Sequence, residues 1–185
     1  MRTFIAIDLD AALKEKVGLL VQKLSRGNPN VKWITPEAMH LTLKFLGETS
    51  ESQAEEVKAV LGAVAGRHHP FELGLKGTGT FPAGSRHPRV LWAGFEEREE
   101  LGALQADLDQ ELAGKGFAKE DRPFHPHLTL GRVKFHRDIQ KTLRELEAWR
   151  EFEFGYMGAK TLTFFESTLT PEGARYTVLG EYPLA

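Results

Sequence analysis

Residues 36–43 read P-E-A-M-H-L-T-L and residues 123–130 read P-F-H-P-H-L-T-L, so one chain carries the frame Pro, three residues, His-Leu-Thr-Leu twice. His40 and His127 lie 87 positions apart, and so do Thr42 and Thr129. With ordinary residue usage, a chance second copy of such a four-residue string is expected in fewer than about one chain in a hundred of this length. Duplication is the better explanation, and it restricts the fold to one in which two similar units meet. Each H-L-T-L has the period-2 alternation of a short strand. The two Leu residues of each copy then enter a core, leaving an imidazole and a hydroxyl side by side on the open face. If a pseudo-twofold relates the copies, the two His-Thr pairs line one cleft. That cleft holds two groups that move protons near neutral pH and two hydroxyl donors, equipment for an in-line displacement at phosphorus.

A chain of 185 residues suits a single domain, 1–185, built as two tightly joined lobes. Lysine and arginine number 24 against 26 aspartates and glutamates, so the net charge of −2 supplies no global attraction for nucleic acid. Contact with RNA must come from a local basic patch. The absence of cysteine excludes disulfides, thiolate metal sites and a cysteine nucleophile. The apolar run Phe4–Ile7 is too short for a signal peptide or a membrane span. The expectation is a cytoplasmic monomer with no membrane partner.

Along the chain, Thr3–Leu9 reads as a buried strand. Asp10 is placed to cap a helix running to about Leu24. Val31–Ile34 and His40–Leu46 read as strands, and Ser50 or Ser52 opens a helix that Gly66 stops. Phe71–Leu75 is a strand ending in the glycine-rich bend Gly77–Gly79, and Arg89–Phe95 is the next strand. The amphipathic helix Glu96–Leu112 and the polar connection Gly114–Arg122 lead to the strand His127–Val133. A helix near Asp138–Arg150, a strand Phe152–Met157 and a hairpin of Lys160–Glu166 with Arg175–Tyr182 complete the chain. Adding 87 to the first half lands strand on strand and helix on helix, with Phe4 falling on Leu91. The mixture with short β–β links predicts an α+β fold with helices outside antiparallel sheets.

The paired motifs resemble those of the 2H phosphoesterases, in particular the LigT-like RNA 2′,3′-cyclic phosphodiesterases, also called 2′-5′ RNA ligases. The likeness extends to the opening R-T-F-I-A-I-D-L and the middle T-F-P and P-R-V-L-W-A-G. It continues through R-P-F-H-P-H-L-T-L-G-R to the closing E-S-T-L-T-P-E-G-A-R-Y-T-V-L. The resemblance implies two pseudo-twofold-related lobes, each a sheet backed by helices, with the active-site cleft between them. It implies hydrolysis of RNA or nucleotide 2′,3′-cyclic phosphates to 2′-phosphate ends, with the reverse 2′-5′ ligation as a secondary activity. It also implies His40 as proton donor to the 3′ oxygen and His127 as the base on water; from spacing alone the two roles are interchangeable.

Thr42 and Thr129 share the face of the histidines and are placed to donate hydrogen bonds to non-bridging oxygens, where charge builds in the transition state. Five residues after each histidine stand Phe45 and Arg132. The resemblance gives Phe45 to stacking on a base and Arg132 to phosphate or base. Strict alternation sends both to the opposite face, so their participation requires a bulge or twist, and Phe45 otherwise belongs to the core. His125 shares the parity of His127, but two nitrogen ligands without a carboxylate make a poor zinc site, so a supporting role is expected and no metal or cofactor. Lys44, Lys134, Arg86 and Arg89 are candidates for a basic rim, and His68, His69, His87 and His136 read as solvated. The competing readings are a non-catalytic module that binds RNA ends in the same cleft, and a metallohydrolase. The two titratable groups speak against the first and the missing carboxylate and cysteine ligands against the second.

Overall fold

The computed structural model describes residues 1–185, folded as an α+β molecule of two antiparallel sheets and four α-helices. In chain order the elements are β1 (Arg2–Asp8), α1 (Ala11–Ser25), β2 (Val31–Trp33), β3 (His40–Glu48) and α2 (Glu51–Ala65). Next come β4 (Phe71–Phe81), β5 (Val90–Phe95), α3 (Glu99–Ala113) and β6 (His127–Val133). The chain closes with α4 (Ile139–Glu147), β7 (Glu153–Ala159), β8 (Thr161–Thr170) and β9 (Gly173–Pro183). One sheet has the order β3-β1-β8-β9 and the other β2-β6-β5-β4-β7.

Local chemistry explains where the first elements begin. Asp10 Oδ1 accepts from the Leu13 amide at 2.9 Å, which satisfies one of the free donors at the start of α1. Leu13, Val17, Leu20, Val21 and Leu24 then recur at helical spacing and are all buried. Of the two candidate serines, Ser50 opens α2: its hydroxyl accepts from the Gln53 amide, and Gln53 Oε1 accepts from the Ser50 amide in return. Gly66 ends that helix, as expected from the sequence.

Two elements run further than their sequence suggests. β4 does not stop at Leu75 but continues to Phe81. Its glycine bend is absorbed as a register irregularity, with Gly77 at φ 78° and its amide donating to Phe152 O at 2.7 Å. The β8–β9 hairpin extends to Thr170 and Gly173, with ten paired positions.

The sheets do not divide at the midpoint of the chain. β4, from the first half, pairs with β5 and β7, whereas β8, from the second half, pairs with β1. α1 packs against β7 and β2, and α3 against β3, so each helix backs the sheet that holds the other copy of its motif strand. One continuous core of 39 buried residues draws on both sheets and all four helices. A second, small cluster of Phe4, Ala6 and Phe165 lies on the opposite face of β1 and β8, against Tyr176.

Candidate active site

β3 and β6 carry the two motifs, and both deviate from alternation at the same place. Along β3, Ala6 faces Thr42 but Ile5 faces Lys44, so Leu43 is an extra residue. Along β6, Trp92 faces Thr129 but Leu91 faces Gly131, so Leu130 is extra. In each case two successive residues point inward, Leu43 with Lys44 and Leu130 with Gly131, and all four are buried. Alternation then restarts in the other phase. Phe45 is 65% exposed on the face of His40 and Thr42, and Arg132 is exposed on the face of His127 and Thr129. The bulges are therefore what brings the fifth residue after each histidine to the open face.

The same shift corrects the reading of Lys44 as part of a basic rim. Lys44 is 2% exposed, and its ammonium donates to Asp109 Oδ1 and to Ala118 O, each at 2.6 Å. At the matching position of β6, Gly131 leaves no room for a side chain. A Cβ there would lie 2.6 Å from Val31 Cγ1 and 3.2 Å from Lys32 O of the neighbouring strand. The pairing also moves the alignment of the first strands by one residue. Phe4 faces Phe45 where Val90 faces Arg132, so the counterpart of Phe4 is Val90 rather than Leu91.

His40 sits in an aromatic box. Its ring stacks on Phe4 and Phe165 with centroids 4.9 and 5.2 Å away, and Tyr176 meets it edge-on at 5.3 Å. Its Nδ1 is buried without a hydrogen-bond partner. Burial pushes the His40 pKa down to about 4, while Asp8 pulls it up and Lys14 pulls it down. Asp8 faces His40 across the β1–β3 pair and holds Lys14 Nζ at 3.0 Å.

His127 is held differently. Its Nδ1 lies 2.7 Å from His125 O, and because a carbonyl can only accept, Nδ1 carries the hydrogen and Nε2 the lone pair. Burial lowers its pKa, the bond to His125 opposes the shift, and the charges of His125 and Arg132 reinforce it. The residue facing His127 is Gly94, so the carboxylate present beside His40 has no counterpart here. The imidazole of His125 packs edge-on against Phe81 and Trp92, each at 5.0 Å, so the contact from His125 to His127 Nδ1 is made by the backbone. Trp92 lies over Gly79, where a Cβ would meet its ring at 2.3 Å, and its Nε1 is buried without a partner.

The two motif strands, β3 and β6, lie in contact, and Arg132 is the nearby cation on the β6 side. Its charge acts on His127 and also on Tyr176, whose ring meets His40. One sheet thus presents His40, Thr42 and Phe45 on an open face, and the other presents His127, Thr129 and Arg132. No group of three or more His, Asp or Glu side chains is placed to hold a metal ion, and no helix is long and apolar enough to cross a membrane.

The family described as the 2′-5′ RNA ligase superfamily matches residues 14–156. The chain belongs to the 2′-5′ RNA ligase superfamily. It is 36% identical over 177 residues to the RNA 2′,3′-cyclic phosphodiesterase of Methanothermobacter thermautotrophicus, covering 96% of this chain and 95% of that one. It is also 36% identical to the protein of the same name from Thermotoga maritima, over 98% of this chain and 94% of that one. Among solved structures, TT0787 of Thermus thermophilus superposes with a TM-score of 0.82 at 30% identity, covering 100% of this chain and 98% of the other. E. coli LigT complexed with 3′-AMP gives 0.80 at 27% identity, covering 99% and 97%.

Several members of the site in this superfamily chain were not singled out from the sequence. Phe4, Phe165 and Tyr176 wall His40, and Trp92 and Phe81 wall the His127 side. Asp8 carries no sequence signal beyond following the apolar run Phe4–Ile7. Of the histidines read as solvated, His68 is half-buried with Nε2 2.7 Å from Asp107, and His136 Nε2 lies 3.0 Å from Pro88 O.

Proposed function

We propose that this chain hydrolyses the 2′,3′-cyclic phosphodiester at RNA ends, or in small nucleotides, to a 2′-phosphate, with 2′-5′ ligation as the reverse reaction. The observation that carries the reading is the pair of strands bulged at the same position, the third residue after the His, each presenting a His, a Thr and the fifth residue after the His on an open face. His127, with its Nε2 lone pair free, takes the proton from the attacking water. Phosphorus keeps its bond to O2′ and loses its bond to O3′, and His40 protonates O3′ as it leaves. Thr42 and Thr129 donate to the non-bridging oxygens, and Arg132 offsets the growing negative charge. Phe45, exposed beside the phosphate site, supplies a stacking face for the terminal base.

The resting protein holds His40 neutral at pH 7 because burial disfavours its cation. A bound phosphodiester places a negative charge against the ring and raises that pKa, so the acid is armed by its own substrate. Asp8 beside His40, and the backbone acceptor behind His127, favour this division of roles over its reverse.

Turnover of a 2′,3′-cyclic mononucleotide, measured before and after exhaustive chelation, tests the reading. Proton transfer from water to His127 and from His40 to O3′ requires no bound ion, so the rate should be unchanged. Loss of activity restored by one divalent ion would favour the metallohydrolase instead.

A further inference from the structure

The chain is acidic overall, but its acids are not evenly spread. Three stretches, 26–36, 73–95 and 122–137, contain no Asp or Glu, yet hold nine of the 24 lysines and arginines. They contribute β2, β6, β5 and most of β4, which are consecutive neighbours in one sheet. Folding therefore brings acid-free segments far apart in sequence into one sheet, and leaves 15 cations against 26 acids in the rest of the chain. Lys32, Arg89, Arg132, Lys134 and Arg137 are all exposed, and none has a carboxylate within 4.0 Å.

Register ties this surface to the cleft. Lys32 faces Arg132 directly across the β2–β6 pair, so the two side chains share a face about 5 Å apart. Lys134 follows Arg132 by two residues, about 6–7 Å further along the same strand direction. The amides of Lys134 and Phe135 both donate to Asn30 O, at 2.8 and 3.3 Å, which fixes the end of β6 against β2. Phe135, between Lys134 and the outer cation Arg137, is 64% exposed. A bare aromatic ring among unpaired cations is the composition of a single-strand track, in which phosphates meet the charges and a base stacks on the ring.

We propose that Lys32, Lys134 and Phe135 form a track for the single-stranded RNA that precedes the cyclic-phosphate end, running outward from Arg132 over the β2–β6 edge. The inference rests on the phosphodiesterase reading of the cleft and extends it: the substrate is an oligonucleotide, with the mononucleotide as its minimal fragment.

The test compares a 2′,3′-cyclic mononucleotide with a cyclic-ended RNA pentamer, for the wild type and for Lys32→Ser/Lys134→Ser/Phe135→Ser. The wild type should favour the pentamer by at least about ten-fold in kcat/KM at low salt, the loss of one stacked base alone being of that order. In the triple variant the pentamer should fall to the mononucleotide value while mononucleotide turnover stays within about two-fold. The log–log salt dependence for the pentamer should become shallower by about 1.4, two phosphate contacts at about 0.7 each. A folded triple variant that keeps the pentamer preference and the salt slope would overturn the track, and so would a wild type that treats both substrates alike. If the wild type turns over neither substrate, the phosphodiesterase reading has failed. The track is then decided by anisotropy with a labelled pentamer ending in a 2′-phosphate. Salt-dependent binding that the triple variant loses supports it, and no binding, or equal binding by both proteins, overturns it.

Discussion

Each histidine has one nitrogen committed to the protein side, and the way this is done differs between them. His127 Nδ1 has a carbonyl partner, whereas His40 Nδ1 has none and is shielded by three aromatic rings. The cost of charging His40 has a consequence for stability. Its folded pKa, about 4, lies below the ordinary 6.5, so between those values the unfolded chain binds the proton more strongly. The contribution of His40 is fully present above about pH 6.5, declines as pH falls, and is gone below about pH 4, for a total of about 3 kcal/mol. Denaturant unfolding of the free protein between pH 7 and pH 4 should therefore lose stability, and His40→Gln should flatten much of that slope. An unchanged slope in His40→Gln would show that the imidazole is not the group being charged. The histidines and threonines of the candidate site stand out in the sequence by their own repetition. Phe4, Phe165 and Tyr176 do not, because an aromatic residue in an apolar strand looks the same whether it faces a core or an imidazole.

At the scale of the strand, the bulge decides which residue reaches the open face. Counting by twos from His40 sends Lys44 outward and Phe45 inward, and the extra residue Leu43 exchanges them. The need for such a bulge could be stated from sequence. Its position could not, because it is set by pairing with β1 and β5 more than thirty residues away. The inward Lys44 is held by Asp109 of α3, which also accepts from the Glu120 amide at 3.1 Å, so the bulge, the helix and the connection toward β6 share one buried ion pair. Removing one member leaves the other charge buried, a loss of about 3–5 kcal/mol, while replacing both by apolar residues is far less costly. Lys44→Met should therefore unfold at markedly lower denaturant than the wild type, and Lys44→Met/Asp109→Leu should recover most of the difference. A double variant no better than the sum of the single ones would mean that the two side chains are not coupled.

Across the whole molecule, one sheet supplies His40 and the other His127, and strands exchanged between the halves of the chain lock the sheets together. The α+β composition was legible from the periodicity of individual segments. The exchange was not, because the pairing of β4 with β5 and of β8 with β1 leaves no local signature beyond the strands themselves. The same arrangement makes the two motifs similar in backbone yet unequal in surroundings: His40 faces Asp8, while His127 faces Gly94. In the proposed mechanism that inequality is the ground for taking His40 as the acid and His127 as the base. The most direct measurement uses a 3′-deoxynucleoside 2′-(4-nitrophenyl phosphate), whose leaving group departs without a proton. On a 2′,3′-cyclic nucleotide, His40→Ala and His127→Ala should each lose two or more orders of magnitude in kcat/KM, about 3 kcal/mol or more of transition-state stabilisation. On the nitrophenyl ester, His40→Ala should recover to near the wild-type rate and His127→Ala should stay slow. Rescue of His127→Ala instead would reverse the roles, and near-wild-type hydrolysis of the cyclic nucleotide by both folded variants would contradict the two-histidine mechanism itself.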